Sequence, residues 1–325
     1  MPELPEVESV RRGLEPVLAG ARFRRVELRR KDLRFPFPTR FAARLEGNTV
    51  VTLTRRGKFL LAHLESHEVL VMHLGMSGRF TVRAAWATFA SSPSGPGRPN
   101  DERNNLATLP SASTPPAEGA ERFGQPAEGL GSDPAHDHVV FTLASGAIIT
   151  YNDPRRFGFM TLIARAELET HEFFHDLGVE PLGNEFHAGY LAAKAVGRRA
   201  DLKAFLMDQH IIAGLGNIYV SEALHRAGVS PNRSASCLVK RNGQPTGRAE
   251  RLVPAIRAVL EDAIAAGGST LRDYRQSDGS LGDFQHLFAV YGREGEPCPR
   301  EGCQGIVRRS VQGGRSTYYC GSCQR

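Results

Sequence analysis

Near the start of the chain, apolar residues recur at helical spacing. Val7, Val10, Leu14, Val17 and Leu18 share one face, while Arg11, Arg12 and Glu15 lie off it. Pro5 suits a first turn and Gly20 a stop, so the pattern predicts one amphipathic helix between them. From 22 to 83 the period shortens to two. RVELRR, NTVVTLTRRGKFLLAHL and EVLVMHLGMSGRFTV read as strands separated by Gly and Asn turn signals. HVVFTLASGAIITYN predicts a hairpin: Val139, Phe141 and Leu143 alternate, Ser145-Gly146 turns, and an apolar return strand follows. Beyond GVEPLGNEF the helical period returns. Tyr190–Asp208, Ser221–Gly228 and Arg251–Ala266 are predicted helices, the last with Leu252, Ile256, Val259, Leu260 and Ile264 on one face. Pro181 and Gly183 mark a hinge between a strand-rich half and a helical half, and no internal repeat is visible.

One stretch fits neither period. Residues 84–135 hold eight of the chain's 20 prolines, much Ser, Gly and Ala, and few large apolar residues. Such a segment buries too little to offset its ordering entropy, so a disordered insertion between two strands of one sheet is expected. At 325 residues the chain has length for about two domains and ample apolar content for their cores. Lys and Arg outnumber Asp and Glu by 41 to 35, a balance compatible with a nucleic-acid partner. No basic stretch leads into an apolar run at the start, and no run approaches about 18 apolar residues. Neither export nor a membrane span is expected, and a cytoplasmic location follows. Four of the five cysteines lie between positions 298 and 323, which in such a chain points to metal rather than disulfides. Cys237 stands alone and reads as a small buried hydrophobe.

The cysteine pattern is Cys298-x4-Cys303 followed by Cys320-x2-Cys323. Each pair can grip one ion from a tight turn, and four thiolates leave no ligand position open, so one structural zinc is expected. Between the pairs, IVRRS and STYYC read as strands joined by VQGGR, a hairpin with Arg315 at or near its tip. With Arg308 and Arg309 it suits nucleic acid, although alone it would equally be a solvated basic turn. In LMDQHIIAGLGNIYVSEALHRAGVSP a helix ends near Gly214-Leu215-Gly216, Asn217 follows, and another begins near Ser221. Amides at a helix start bind phosphate. Tyr219 stands where a dinucleotide fingerprint needs its third glycine, so that reading is excluded. DPRRFG, residues 153–158, pairs cations with an aromatic suited to a base stack, or is a surface turn with Phe157 packed. In HLGMSG, Met76 is either core or contact, and Lys58 of RRGK is either a solvated strand residue or a reagent. The opening MPELPE has the same double aspect. It is a simple helix start, or, once Met1 is removed, it presents the secondary amine of Pro2 as a nucleophile.

Taken in order, MPELPEVE, RRGK, HLGMSG, HDHV, DPRRFG, LMD…GLGNIYVSEAL, GGSTLRDYRQSDG, VYGREGEPC and the cysteine hairpin resemble formamidopyrimidine-DNA glycosylase over nearly the whole chain. The long insertion and the four-residue spacer in the first cysteine pair depart from the family pattern. The resemblance implies an α+β fold: an N-terminal helix on a β-sandwich, then a helix–two-turns–helix domain and a zinc-finger hairpin, with DNA in the cleft. On this basis residues 1–178 form the catalytic unit, 179–184 the hinge, 185–290 the DNA-binding helices and 291–325 the zinc finger.

The resemblance also implies roles. A damaged nucleotide is flipped out of duplex DNA, and Pro2 attacks its sugar. Glu3 protonates the ring oxygen, Glu6 supports the helix start, Lys58 assists β-elimination and Arg315 completes δ-elimination. His136, Arg155, Arg198 and Asn217 match phosphate-binding positions, and Met76, Arg155 and Phe157 match the trio that fills the vacated stack. The implied partner is double-stranded DNA with an oxidised purine opposite cytosine, bound by a monomer. Residues 267–279 match a loop over the flipped base, rich in Gly, Ser and Asp and so expected to move without DNA. Two other readings stay open: an endonuclease VIII-type enzyme for oxidised pyrimidines, and a zinc-ribbon binder of damaged DNA without catalysis.

Overall fold

The computed structural model describes residues 2–83, 133–270, 277 and 280–325. Residues 84–132 of the expected insertion and most of the loop over the flipped base therefore lie outside the described residues; the insertion's last residues, 133–135, are ordered, with Asp133 capping a single turn of 3-10 helix at Pro134–His136. Helix α1 (Leu4–Leu18) buries Val7, Val10, Leu14 and Leu18 and packs Val17 at the margin, as its spacing predicts. Its first turn is closed by the Glu3 amide, which donates to the Glu6 carboxylate at 2.8 Å.

Eight strands form two antiparallel sheets. The first is ordered β1 (Phe23–Leu28), β6 (Asp137–Leu143), β7 (Ile148–Asn152), β5 (Arg79–Arg83). The second is ordered β2 (Val50–Arg56), β3 (Phe59–Leu64), β4 (Glu68–His73), β8 (Phe159–Ala164). Phe23, Phe80, Phe141 and Tyr151 from one sheet meet Leu53, Leu60, Ala62 and Met72 from the other in a core shared with α1. A second cluster, Leu61, Val69, Val71, Ile163 and Phe174, covers the far face of the second sheet. That double burial is why FLLAHL and EVLVMH read as nearly continuous apolar runs.

The predicted hairpin is β6–β7, with its turn at Ser145-Gly146. RVELRR is displaced: the strand is Phe23–Leu28 and stops before the Arg29-Arg30 pair. A five-residue helix, α2 (Phe41–Leu45), is too short to show a period and was not anticipated.

The second half has its own core, built from α3 (Ala188–Ala195), α4 (Leu202–Met207), α5 (Asn217–Ala227) and α6 (Gly247–Ala265). The continuous helix expected over Tyr190–Asp208 is broken in two. Gly197 takes a left-handed φ of +69°, and Asp201 caps α4 by accepting from the Ala204 amide at 2.7 Å. α5 starts at Asn217 rather than Ser221, and α6 at Gly247 rather than Arg251. Cys237 is half-buried against this core. A last hairpin, β9 (Val307–Gln312) and β10 (Arg315–Cys320), turns through Gly313 and Gly314, both at positive φ.

The junction between the halves is tied on both sides. Val179 accepts from the Ala213 amide, and the Gly178 amide donates to Gln209. Glu180 takes hydrogen bonds from Arg55, Arg56 and the Gly57 amide, at 2.8, 3.1 and 2.6 Å.

Candidate active site

The start of α1 is wrapped by the Gly214-Leu215-Gly216 turn. The Leu4 amide donates to the Gly214 carbonyl at 3.1 Å, and Glu3 Oε1 accepts from the Ile218 amide at the start of α5, also at 3.1 Å. A Cβ on Gly216 would sit 2.2 Å from the Glu3 carboxyl carbon, so only glycine leaves room for that carboxylate. The α5 amide expected to face phosphate is thus taken by Glu3. Glu3 Oε2 is buried and has no hydrogen-bond partner among the described residues. Burial raises the Glu3 pKa to about 7, aided by Glu6 and opposed by Lys58 and the Ile218 hydrogen bond. Pro2 is buried immediately before it. Glu6 anchors the other side, accepting from the Tyr219 hydroxyl and, at 2.8 Å, from the Ser269 amide.

Lys58 follows the β2–β3 turn at Gly57 and is buried, which rejects the solvated-strand reading. Burial lowers its pKa first of all; Arg315 acts in the same direction and Glu3 against it. Lys58 therefore senses the charges of both Glu3 and Arg315 although the three come from distant segments. Asn217 donates to the Tyr291 hydroxyl and to the Ser316 carbonyl, both at 3.2 Å, which seats the start of β10 beside the start of α5. Arg315, next to Ser316, is exposed.

A second cluster is mounted differently. Asp153 is fully buried. It accepts from the Ser77 hydroxyl at 2.6 Å, the Tyr151 hydroxyl at 3.2 Å and the Gly158 amide at 2.9 Å. Ser77 in turn accepts from the Arg155 amide at 3.1 Å. A Cβ on Gly75 would lie 2.3 Å from the backbone of Phe157 and Gly158, so the HLGMSG and DPRRFG loops meet backbone to backbone. Their tips differ from this base. Met76 is half-buried, Arg155 is exposed, and Phe157 is 44% exposed with the Arg155 guanidinium 5.2 Å from its ring centre. His136 joins the cluster through its carbonyl, which accepts from the Asp153 amide at 3.0 Å. Arg198 is exposed on the turn between α3 and α4.

At the end of the chain, the sulfurs of Cys298, Cys303, Cys320 and Cys323 all lie within 4.8 Å of one another. Cys298–Cys323 and Cys303–Cys320 are 3.8 and 3.7 Å apart. An edge of about 3.8 Å is what tetrahedral thiolates at 2.3 Å from an ion require. The donor set fits a metal.

Family models for the formamidopyrimidine-DNA glycosylase N-terminal domain and H2TH domain match residues 1–160 and 177–275. The chain belongs to the formamidopyrimidine-DNA glycosylase family. It is accordingly an enzyme of DNA repair, a bifunctional glycosylase and AP lyase. A formamidopyrimidine-DNA glycosylase of Beijerinckia indica is 56% identical over 325 residues, spanning all of both chains. The MutM (Fpg) crystal structure from Thermus thermophilus is 36% identical with TM-score 0.74, covering 99% of this chain and 98% of its own. Lactococcus lactis Fpg, solved with abasic-site DNA, is 26% identical with TM-score 0.74 over 99% of both chains. The same protein has also been solved with N7-benzyl-Fapy-dG DNA and with oxidised-pyrimidine DNA.

Within this glycosylase, sequence reasoning missed three residues. Lys203 on α4 is 1% exposed and donates to the Ser316 carbonyl at 3.0 Å and Thr317 Oγ1 at 2.7 Å; burial lowers its pKa to about 8. The available signal was a lysine one helical turn before Leu206 on an otherwise apolar face. Asp153 was read only as part of a loop motif. Glu222 accepts the amides of Ala289, Val290 and Tyr291 and so holds the segment that carries Tyr291 against Asn217. Among the described residues no helix is long and apolar enough to cross a membrane.

Proposed function

We propose that this glycosylase excises oxidised purines opposite cytosine, with Pro2 as nucleophile and Glu3 as acid. The observation that carries the reading is the Glu3 carboxyl: buried beside Pro2, with one oxygen unpartnered and a pKa near 7. Such a group keeps a proton to give at neutral pH. Once Met1 is removed, the Pro2 nitrogen attacks the sugar C1′, the glycosidic bond breaks, and the base departs with its electron pair and takes up the proton that the nitrogen loses. Glu3 gives a proton to the ring oxygen as the sugar opens and the nitrogen becomes an iminium. The iminium acidifies the C2′ proton; its loss expels the 3′ phosphate, and a second elimination expels the 5′ phosphate. Lys58, buried with a lowered pKa, assists the first elimination, and Arg315 the second.

His136, Arg155, Arg198 and Asn217 grip phosphates, and Met76, Arg155 and Phe157 fill the gap left by the flipped nucleotide. Cys298, Cys303, Cys320 and Cys323 hold one structural zinc. The units are 1–178, 185–290 and 291–325 about a hinge at 179–184, acting as a monomer in the bacterial cytoplasm. The oxidised-pyrimidine complex of the L. lactis relative favours one further reading, an endonuclease VIII-like substrate range.

The test is a duplex with 8-oxoguanine opposite cytosine, incubated with protein and borohydride. A covalent adduct on the N-terminal peptide is expected, and none when an uncleaved tag precedes Pro2. An adduct on Lys58 in wild-type protein would overturn the assignment. Faster excision of thymine glycol than of 8-oxoguanine would favour the pyrimidine reading.

A further inference from the structure

The cysteine knuckle is fastened to the C-terminal end of α5. His225 Nε2 lies 3.3 Å from Cys298 Sγ, with both residues buried. Arg300, in the loop between Cys298 and Cys303, donates to the carbonyls of His225 and, at 3.3 Å, Arg226. Carbonyls at a helix end lack helical partners, and a cation is favoured there. Gln324 Nε2 donates to the Val229 carbonyl at 3.0 Å, and the Arg325 amide to Gly228 at 3.2 Å. The other end of α5 carries Asn217 and Ile218, which reach the Ser316 carbonyl and the Glu3 carboxylate. One helix therefore spans from the cysteine cluster to the acid.

We propose that His225 is a positioning residue for the metal: its Nε2–H donates to the Cys298 thiolate and locks the metal-bearing loop onto α5. This rests on the reading of the four cysteines as a zinc site. A zinc-bound thiolate carries no proton, so the hydrogen in this contact belongs to the imidazole. Four thiolates around a divalent ion leave net negative charge, and the burial of Cys298 and Cys320 makes that charge costly. An N–H donor offsets it, as the Gly305 amide does for Cys303 at 3.4 Å. Loss of such an outer partner typically costs about 10- to 100-fold in metal affinity.

The test uses full-length protein loaded with zinc. Transfer to a chromogenic chelator is timed, and the thiolate-to-cobalt charge-transfer band of cobalt-substituted protein is recorded. His225→Phe keeps the ring volume and removes the donor; His225→Gln keeps an N–H. The Phe variant is expected to release zinc roughly ten-fold faster or more and to shift the cobalt band, with the Gln variant closer to wild type. Unchanged release and band in folded His225→Phe would overturn the proposal, as would equal impairment in both variants. Nitrogen chemical shifts of His225 in cadmium-substituted wild-type protein test it without any substitution: a proton on Nε2 is expected, and a proton on Nδ1 alone overturns it. One zinc per chain with indifference to His225 sinks only this proposal, whereas wild-type protein without stoichiometric zinc sinks the zinc reading as well.

Discussion

Glu3 and Asp153 are both buried carboxylates, and they are provisioned oppositely. Asp153 meets three donors spread over both oxygens. Glu3 accepts the Ile218 amide on Oε1 and shares a capping box with Glu6, but Oε2 has no partner among the described residues. Donors around a buried carboxylate hold its charge and fix its position; their scarcity leaves the proton affinity high. On the proposed reading Asp153 is a strut and Glu3 the reagent. The side chains they serve follow the same division. Chemistry requires shifted proton affinities and so occurs in a buried pocket. The proposed grip uses exposed tips on a rigid mount, Arg155 and Phe157 beside the buried Asp153.

The largest effect that would break this contrast is at Glu3. Glu3→Gln keeps an acceptor for Ile218 but has no proton to give, and base excision is expected to fall by about 10²- to 10⁴-fold. In wild-type protein, excision that needs protonated Glu3 falls as pH rises through about 7. Stability carries the same sign. A carboxyl whose folded pKa of about 7 exceeds its ordinary 4.5 favours folding below 4.5 and loses that contribution as pH rises through 7. Glu3→Gln should therefore raise the melting temperature at pH about 8 and leave it little changed at pH about 5. The ceiling is about 3 kcal/mol, reduced by the lost attraction to Lys58. Thermal scans at both pH values check this; a stability loss at the higher pH would mean that Glu3 acts as a strut too.

The next effect is at Asp153. In Asp153→Asn one oxygen becomes an NH2 group that meets existing donors. The hydroxyls can rotate to accept, but the Gly158 amide cannot. A loss of roughly 1–3 kcal/mol is expected in urea unfolding, along with weaker discrimination between cytosine and adenine opposite the lesion. Unchanged discrimination despite that stability loss would detach the mount from the grip.

The smallest stability effect is at Arg155. It is exposed, so Arg155→Ala should change stability by no more than about 0.5 kcal/mol. As a pure donor suited to the acceptor edge of cytosine, its loss should narrow the cytosine-over-adenine preference by about 10-fold or more. Excision rates on matched duplexes decide this, and equal preference before and after would remove Arg155 from base reading.

Much of this was written locally in the chain. α1 beyond its wrapped first turns, the β6–β7 hairpin and the buried face of α6 were legible because each buries mainly one side, and a one-sided element prints its period on the sequence. The cysteine spacing was legible because a metal's bite is short-range. Where local signals compete, the period misleads. Apolar residues continue across the α3–α4 break, and only Gly197 and the Asp201 cap mark it. The burial of Lys58 and Lys203, the seat of Glu3 beside Gly216 and Ile218, and the convergence of Ser77, Tyr151 and Gly158 on Asp153 were decided by tertiary structure. A residue's face depends on its near neighbours in sequence. Its proton affinity depends on dielectric and partners, and packing brings these from segments that no local pattern connects.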